Sequence, residues 1–136
     1  MGALQPYWQH NCTVTNKVIM MSDSNCLFCK IATKEVSSTI VYEDNHIVAF
    51  KDIAPQMPIH IVLIPKIHIP GLNELTNDSA DIVAHIVIKA KELATKFNIG
   101  ISGYRLVSNC GPDAGQSVHH LHFHLLGGAP MPVDLA

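Results

Sequence analysis

Apolar and polar positions alternate in several short runs along the chain, then change once to a three- and four-residue rhythm. TIVYED (39–44), HIVAFKDI (46–53), IHIVLIPK (59–66) and YRLVSN (104–109) are short and rich in β-branched residues, and read as strands. Asp44-Asn45 is a tight turn between the first two, and APQMP (54–58) is a loop broken by two prolines. In DSADIVAHIVIKAKELATKF (78–97), Ile82, Val83, Ile86, Val87, Ala90, Leu93, Ala94 and Phe97 fall on one stripe of a helix. Thr76, Asn77 and Asp78 offer N-caps, and Gly100 follows its end. CLFCKIAT (26–33) suits a short helical turn.

The last run, SVHHLHFHLLGG (117–128), sorts cleanly at period two. His120, His122 and His124 share one face of a strand, while Leu121, Phe123 and Leu125 share the other, with His119 on that apolar side. A helix would scatter both sets. Gly127 and Gly128 stop the strand, and Pro130 and Pro132 oppose its resumption. The sum is an α+β chain. It has a mostly antiparallel sheet of about five strands, one long helix and a short N-terminal helix.

Composition narrows the picture. At 136 residues, 48% hydrophobic and 15% charged, the chain suits one globular domain with a sizeable core. A net charge of −2 gives no basic footprint for nucleic acid, and no apolar run reaches the roughly 20 residues of a membrane span. Residues 1–22 have no clear period and read as a loose extension before a single domain at 23–136. They lack the basic and apolar regions of a signal peptide, and Met20 and Met21 offer a second start. A cytoplasmic location with reduced thiols is the expectation.

Histidine serves as nucleophile, proton carrier or metal ligand. Side chains on one strand face sit roughly 6.6 Å apart, so the three histidines do not easily converge on one ion; a solvated polar face is the bland alternative. Before them, Asn109, Gly111, Gly115, Gln116 and Ser117 form a glycine-rich loop. Glycines let backbone N–H groups approach an anion, and Gln116 and Ser117 add side-chain donors. Donors followed by imidazoles suit a phosphate attacked by a histidine, although such loops are often only turns. Cys26-x-x-Cys29 is open between a redox pair, a metal site and two core thiols.

His120-Leu-His122-Phe-His124-Leu-Leu resembles the histidine triad signature, with apolar residues between and after three histidines. GQSV (115–118), NCG (109–111), HIVLIPKIHI (60–69) and FKDIAPQMP (50–58) resemble the same family in the same order. The likeness spans about residues 25–128, and the glycine pair after the triad is closer to the Hint branch than to the dinucleoside polyphosphate hydrolases.

The resemblance implies a homodimeric, nucleotide-binding hydrolase that cleaves purine nucleoside phosphoramidates, such as AMP joined to an amine. His122 would attack the α-phosphorus and form a nucleotidyl-histidine. Asn109, Gly115, Gln116 and Ser117 would hold the phosphate and leaving group, with His124 on the phosphate and His60 near the reacting end. Asp52 would bind the ribose hydroxyls; Phe28, Ile31, Phe50 and Ile53 would wall the base and sugar pocket. Read on their own, Asp52 is a strand-end turn former and Phe28 or Ile53 core. No organic cofactor, nucleic acid or membrane enters this scheme.

Some bacterial-type relatives carry such a cysteine pair and bind zinc, adding a histidine after the Pro-Lys strand and the first triad histidine. Here those positions are His68 and His120, giving Cys26, Cys29, His68 and His120 as a closed structural zinc set. His119 stands where relatives often have tyrosine, and APMPVDLA (129–136) lacks a tryptophan found in some tails, which leaves substrate preference open. The rival functions are dinucleoside polyphosphate hydrolysis or nucleotidyl transfer on the same fold, and a non-catalytic nucleotide-binding module.

Overall fold

A computed structural model describes residues 25–135. The expected extension at 1–22, with His10, Cys12 and the alternative starts, lies outside the described residues. Helix α1 (Leu27–Ala32) is followed by β1 (Ile40–Glu43), β2 (Ile47–Lys51), β3 (Ile59–Pro65), the long helix α2 (Ala80–Lys96), β4 (Tyr104–Val107) and β5 (Phe123–Gly127). The strands form one sheet in the order β1-β2-β3-β5-β4, every neighbouring pair antiparallel. This is the expected α+β architecture.

Period-two patterning gives the sheet two buried faces. Ile47, Ala49, Ile61, Leu63, Phe123 and Leu125 point to one side and pack with Ile82, Ile86, Ala90 and Leu93 of α2. Val48, Phe50, Val62 and Ile64 point to the other, against Phe28, Cys29 and Ile31 of α1. Each fully buried Ile or Leu contributes roughly 1.5–3 kcal/mol. The long helix therefore anchors one face, while the six-residue α1 covers the face that carries the histidines.

Turn chemistry fixes the connections. Asp44 Oδ1 accepts from the N–H groups of His46 and Ile47 (2.8 and 2.9 Å), which makes the expected β1–β2 turn. Burial pushes Asp44 upward, but the His85 ring, those two N–H groups and the Tyr42 hydroxyl outweigh it and hold it at about 2. A 3-10 turn (Asn77–Ser79) leads into α2, with the Thr76 N–H donating to Ser79 Oγ at 2.8 Å.

Several local expectations are corrected. Asn98, at φ 61°, ends α2 where Gly100 was expected. Asn98 N–H donates to Thr95 O (3.1 Å) and Ile99 N–H to Ala94 O (2.9 Å), a Schellman closure that asparagine tolerates. Val87 is 43% exposed, off the buried stripe. The histidine strand is also shorter than its pattern: β5 begins at Phe123, so His119 is an exposed loop residue and His120 and His122 precede the ladder.

Candidate active site

Antiparallel register gathers the chemistry at one end of the sheet. Val62 of β3 pairs with Phe50 of β2 and with His124 of β5, and Val107 of β4 pairs with His124 from the other side. Continuing the β4–β5 register beyond Val107 sets Asn109 across from His122. The Ser108 hydroxyl donates to the His122 carbonyl at 2.8 Å, tying the two chains just past the ladder.

The face is not solvated. His120, His122 and His60 are buried and His124 is half-buried. The three triad histidines also do different things.

His120 turns into the α1 face. Its Nε2 lies 2.8 Å from the Pro65 carbonyl, which only accepts, so the ring proton sits on Nε2. Nδ1 then carries the lone pair, 3.3 Å from Cys26 Sγ, 3.5 Å from Cys29 Sγ and 3.2 Å from His68 Nδ1. Cys29 Sγ is 3.3 Å from His68 Nδ1, and all four donor atoms lie within 4.8 Å of one another. Zinc bonds of 2.0–2.1 Å to nitrogen and 2.3 Å to sulfur imply tetrahedral edges of roughly 3.3–3.8 Å. Two thiols and two imidazoles at these separations fit such an ion, and the Pro65 carbonyl is the outer partner a metal-binding imidazole needs. Burial, against the pull of that carbonyl, holds His120 neutral at about 4.

His122 Nδ1 lies 2.6 Å from the His120 carbonyl. A carbonyl accepts only, so Nδ1 donates and the lone pair of the neutral ring is on Nε2. The Phe28 ring meets the His122 ring edge-on, 5.0 Å between centroids at 83°.

His124 packs beside the His122 ring, 5.0 Å between centroids, with its Nδ1 2.8 Å from His60 Nε2. The Gln56 N–H donates to His60 Nδ1 at 3.0 Å. His60 therefore carries its proton on Nε2 and donates it to His124 Nδ1, leaving His124 with an Nε2–H donor. Asp52 Oδ2 is 3.4 Å from His60 Nε2, and Asp52 Oδ1 takes the Ala54 N–H at 2.8 Å. Burial lowers the His60 pKa against the pull of Asp52. Burial, then the neighbouring His122 and His60, lower His124 to about 4, again against Asp52. Asp52, His60 and His124 also converge closely enough to hold an ion, but their nitrogens already form a hydrogen bond with an assigned direction.

Gly111 and Gly115 have positive φ (88° and 83°) around a 3-10 turn at Pro112–Ala114. Gln116 is engaged within the loop: its Nε2 donates to the Pro70 and Val118 carbonyls, its Oε1 takes the Gly111 N–H, and its own N–H reaches Gly111 O. Gly115 N–H goes to Pro112 O. These groups hold the loop's shape; in the same segment Ser117 is exposed and Asn109 half-buried. Among the nominated apolar residues, Phe28, Ile31 and Phe50 pack together, whereas Ile53 is 95% exposed and stands apart from them. A cleft of about 120 Å³ beside His60 is bordered by Asp52, Pro58 and Phe97, smaller than the roughly 300–1,000 Å³ usual for ligand pockets. Pattern reading missed the Gln56 N–H, the Pro65 carbonyl and Ser108. The Gln56 contact is a backbone amide four residues from His60, which no side-chain pattern marks, and the partners of Pro65 and Ser108 lie 55 and 14 positions away.

Residues 25–134 match the family profile described as scavenger mRNA decapping enzyme C-term binding. The purine nucleoside phosphoramidase of Escherichia coli K12 is 41% identical over 110 residues, 81% of this chain and 92% of that protein. A 14 kDa zinc-binding protein of Zea mays is 43% identical over 113 residues, covering 82% and 88%. The crystal structure of a HIT family hydrolase from Legionella pneumophila superposes with a TM-score of 0.81 at 47% identity, covering 82% of this chain and all of that one. With its sheet, its three histidines and these relatives, the chain belongs to the histidine triad family and is a hydrolase with Hint-like kin.

Proposed function

We propose that this hydrolase cleaves the P–N bond of purine nucleoside phosphoramidates through a nucleotidyl-histidine. The observation that carries the reading is the 2.6 Å contact from His122 Nδ1 to the His120 carbonyl, which leaves the Nε2 lone pair for attack. In the first step His122 Nε2 bonds to the α-phosphorus, the P–N bond breaks, and the amine leaves with a proton. In the second, water attacks phosphorus, the His122–P bond breaks, and the nucleoside monophosphate departs. The His124 Nε2–H donates to the phosphoryl group, with His60 fixing its direction. Ser117 and Asn109 bind the phosphate end, Gly115 and Gln116 hold their loop, and Asp52 accepts the ribose hydroxyls. Phe28, Ile31 and Phe50 line the inner wall for base and sugar, with Ile53 at the rim. The E. coli relative's name supports the substrate class.

Cys26, Cys29, His68 and His120 would hold a structural zinc ion, supported by the donor geometry and the maize relative's name. When bound, the ion would supply a cross-link of α1 to the sheet; the chemistry belongs to His122 and His124. Residues 23–136 act as one domain that forms a homodimer. Exposed Val87 and Ile88 on α2, and Tyr104 on the edge strand β4, support that surface. Among the described residues no helix is long and apolar enough to cross a membrane, and Cys26, Cys29 and Cys110 are thiols, which fits a reducing cytoplasm.

A substrate panel tests the reading. Adenosine phosphoramidate should be turned over with a kcat/KM well above that for dinucleoside polyphosphates. The reverse order moves the assignment to polyphosphate hydrolysis, and nucleotide binding without turnover of either class refutes catalysis.

A further inference from the structure

We infer that the Cys26–Cys29–His68–His120 cluster, when it holds its ion, positions the His122 ring, so that metal occupancy sets the tautomer of the attacking imidazole. The inference rests on the metal and nucleophile assignments proposed above.

His122 lies one residue before β5 begins, outside the ladder, so its position depends on individual tethers. Ser108 Oγ holds its carbonyl at 2.8 Å. The Leu121 N–H reaches Ile69 O at 2.5 Å, and His122 Nδ1 reaches His120 O at 2.6 Å. Two of these three tethers lead to the cluster, because Ile69 follows His68 and His120 is itself a member.

The His120 ring is held at both nitrogens, by the Pro65 carbonyl on one side and by the cysteines and His68 on the other. A ring fixed at both ends fixes its own backbone, and so the carbonyl that receives the His122 proton. A second path runs through Phe28. It sits between the two cysteines on α1 and touches the His122 ring edge-on at 5.0 Å, and the His120 ring at 6.1 Å. A six-residue helix is too short to persist unaided; Cys26 and Cys29 dock it on the sheet. Losing the ion thus loosens Phe28 and the His120 carbonyl together. The ring proton of His122 is then free to move from Nδ1 to Nε2, the nitrogen that must attack. Phe28 and His120 are positioning residues in this scheme.

His68 is the place to test it. Among the described residues its ring contacts are Cys29 and His120, with no reacting group. The full-length wild type, His68→Ala and His68→Cys are compared for zinc content, ring nitrogen-15 NMR of His122, AMP affinity and the rate of nucleotidyl-enzyme formation. A thiolate at position 68 completes a three-cysteine, one-histidine set. The wild type and His68→Cys should retain metal, one Nδ1–H tautomer and full rate. His68→Ala should lose metal, show both tautomers and form the intermediate about 10–100-fold more slowly, the range seen when outer-shell partners of a site are removed; AMP affinity should fall by less than the rate, because Phe28 is one of several residues in the base and sugar wall. If circular dichroism finds His68→Ala unfolded, chelated wild type takes its place. A folded metal-free chain with a single Nδ1–H tautomer and wild-type rate overturns the inference. A wild type that retains no metal overturns it together with the metal assignment. A tautomer shift on metal loss in a protein that never cleaves phosphoramidates supports the inference and refutes the substrate reading.

Discussion

His60 Nε2 lies 2.8 Å from His124 Nδ1, joining residues 64 positions apart in the chain. The Gln56 N–H at His60 Nδ1 gives that contact its direction, so one backbone amide determines which nitrogen of His124 carries a proton. Replacing His60 by Ala removes the direction without removing His124. We expect kcat on adenosine phosphoramidate to fall by at least about tenfold, below the 10²–10⁴ range of losing an acid–base group outright. KM should move little, and steady-state kinetics on the folded variant checks the split. A change confined to KM contradicts the role.

The depressed pKa of His124 links stability to pH. The folded state keeps this ring neutral down to about 4, whereas the unfolded chain takes a proton near the ordinary 6.5. Unfolding therefore binds protons between those values, and the stabilisation present above 6.5 is lost as pH falls toward 4. The urea midpoint of the wild type should drop between pH 7.5 and pH 5, and His124→Gln should show a shallower drop. His60 and His124 share a hydrogen bond and both are lowered, so the macroscopic curve belongs to that pair. An equal slope in the variant would remove His124 from the account.

The pair Gly127-Gly128 has a packing reason. A Cβ at Gly127 would lie 2.7 Å from Ile99 Cδ1 and 3.2 Å from Gly103 O, and Gly128 has φ +98°. Gly127→Ala forces Ile99 or the β4 approach to shift, at about 1–3 kcal/mol. Chemical denaturation should register that loss. Wild-type stability would mean that Ile99 moves freely.

Chelation of the cysteine–histidine cluster should lower Tm by at least about 5 °C, which in a domain of this size is a loss of roughly 1–2 kcal/mol. Calorimetry before and after removal, with elemental analysis of the same samples, checks it. An unchanged Tm in protein that has lost its metal contradicts a structural role.

Period and turn signals made the architecture legible. Leu121, Phe123 and Leu125 do enter the core, and Asp44 does make its turn. Strand spacing also anticipated that the triad would not share one ion, and His120 and His124 indeed join separate clusters. What alternation could not reveal is where pairing stops. His120 and His122 keep the strand's rhythm without its hydrogen bonds, because the chain there is tethered to Ile69 and Ser108 instead. Glutamine in a glycine loop likewise looks like a donor to a ligand until the Pro70 carbonyl, 46 positions away, is seen to take its amide. Val87 fits a helical stripe by spacing, yet it stays exposed while Ile86 and Ala90 beside it are buried.

The most direct test of the account is to trap the intermediate. The protein is mixed with an adenosine phosphoramidate, quenched within one turnover, and its peptides are sequenced by mass spectrometry alongside His122→Ala. An adenylyl group on His122 is expected in the wild type, and neither adduct nor turnover in the variant. An adduct on another residue, or turnover that survives the loss of His122, would contradict it.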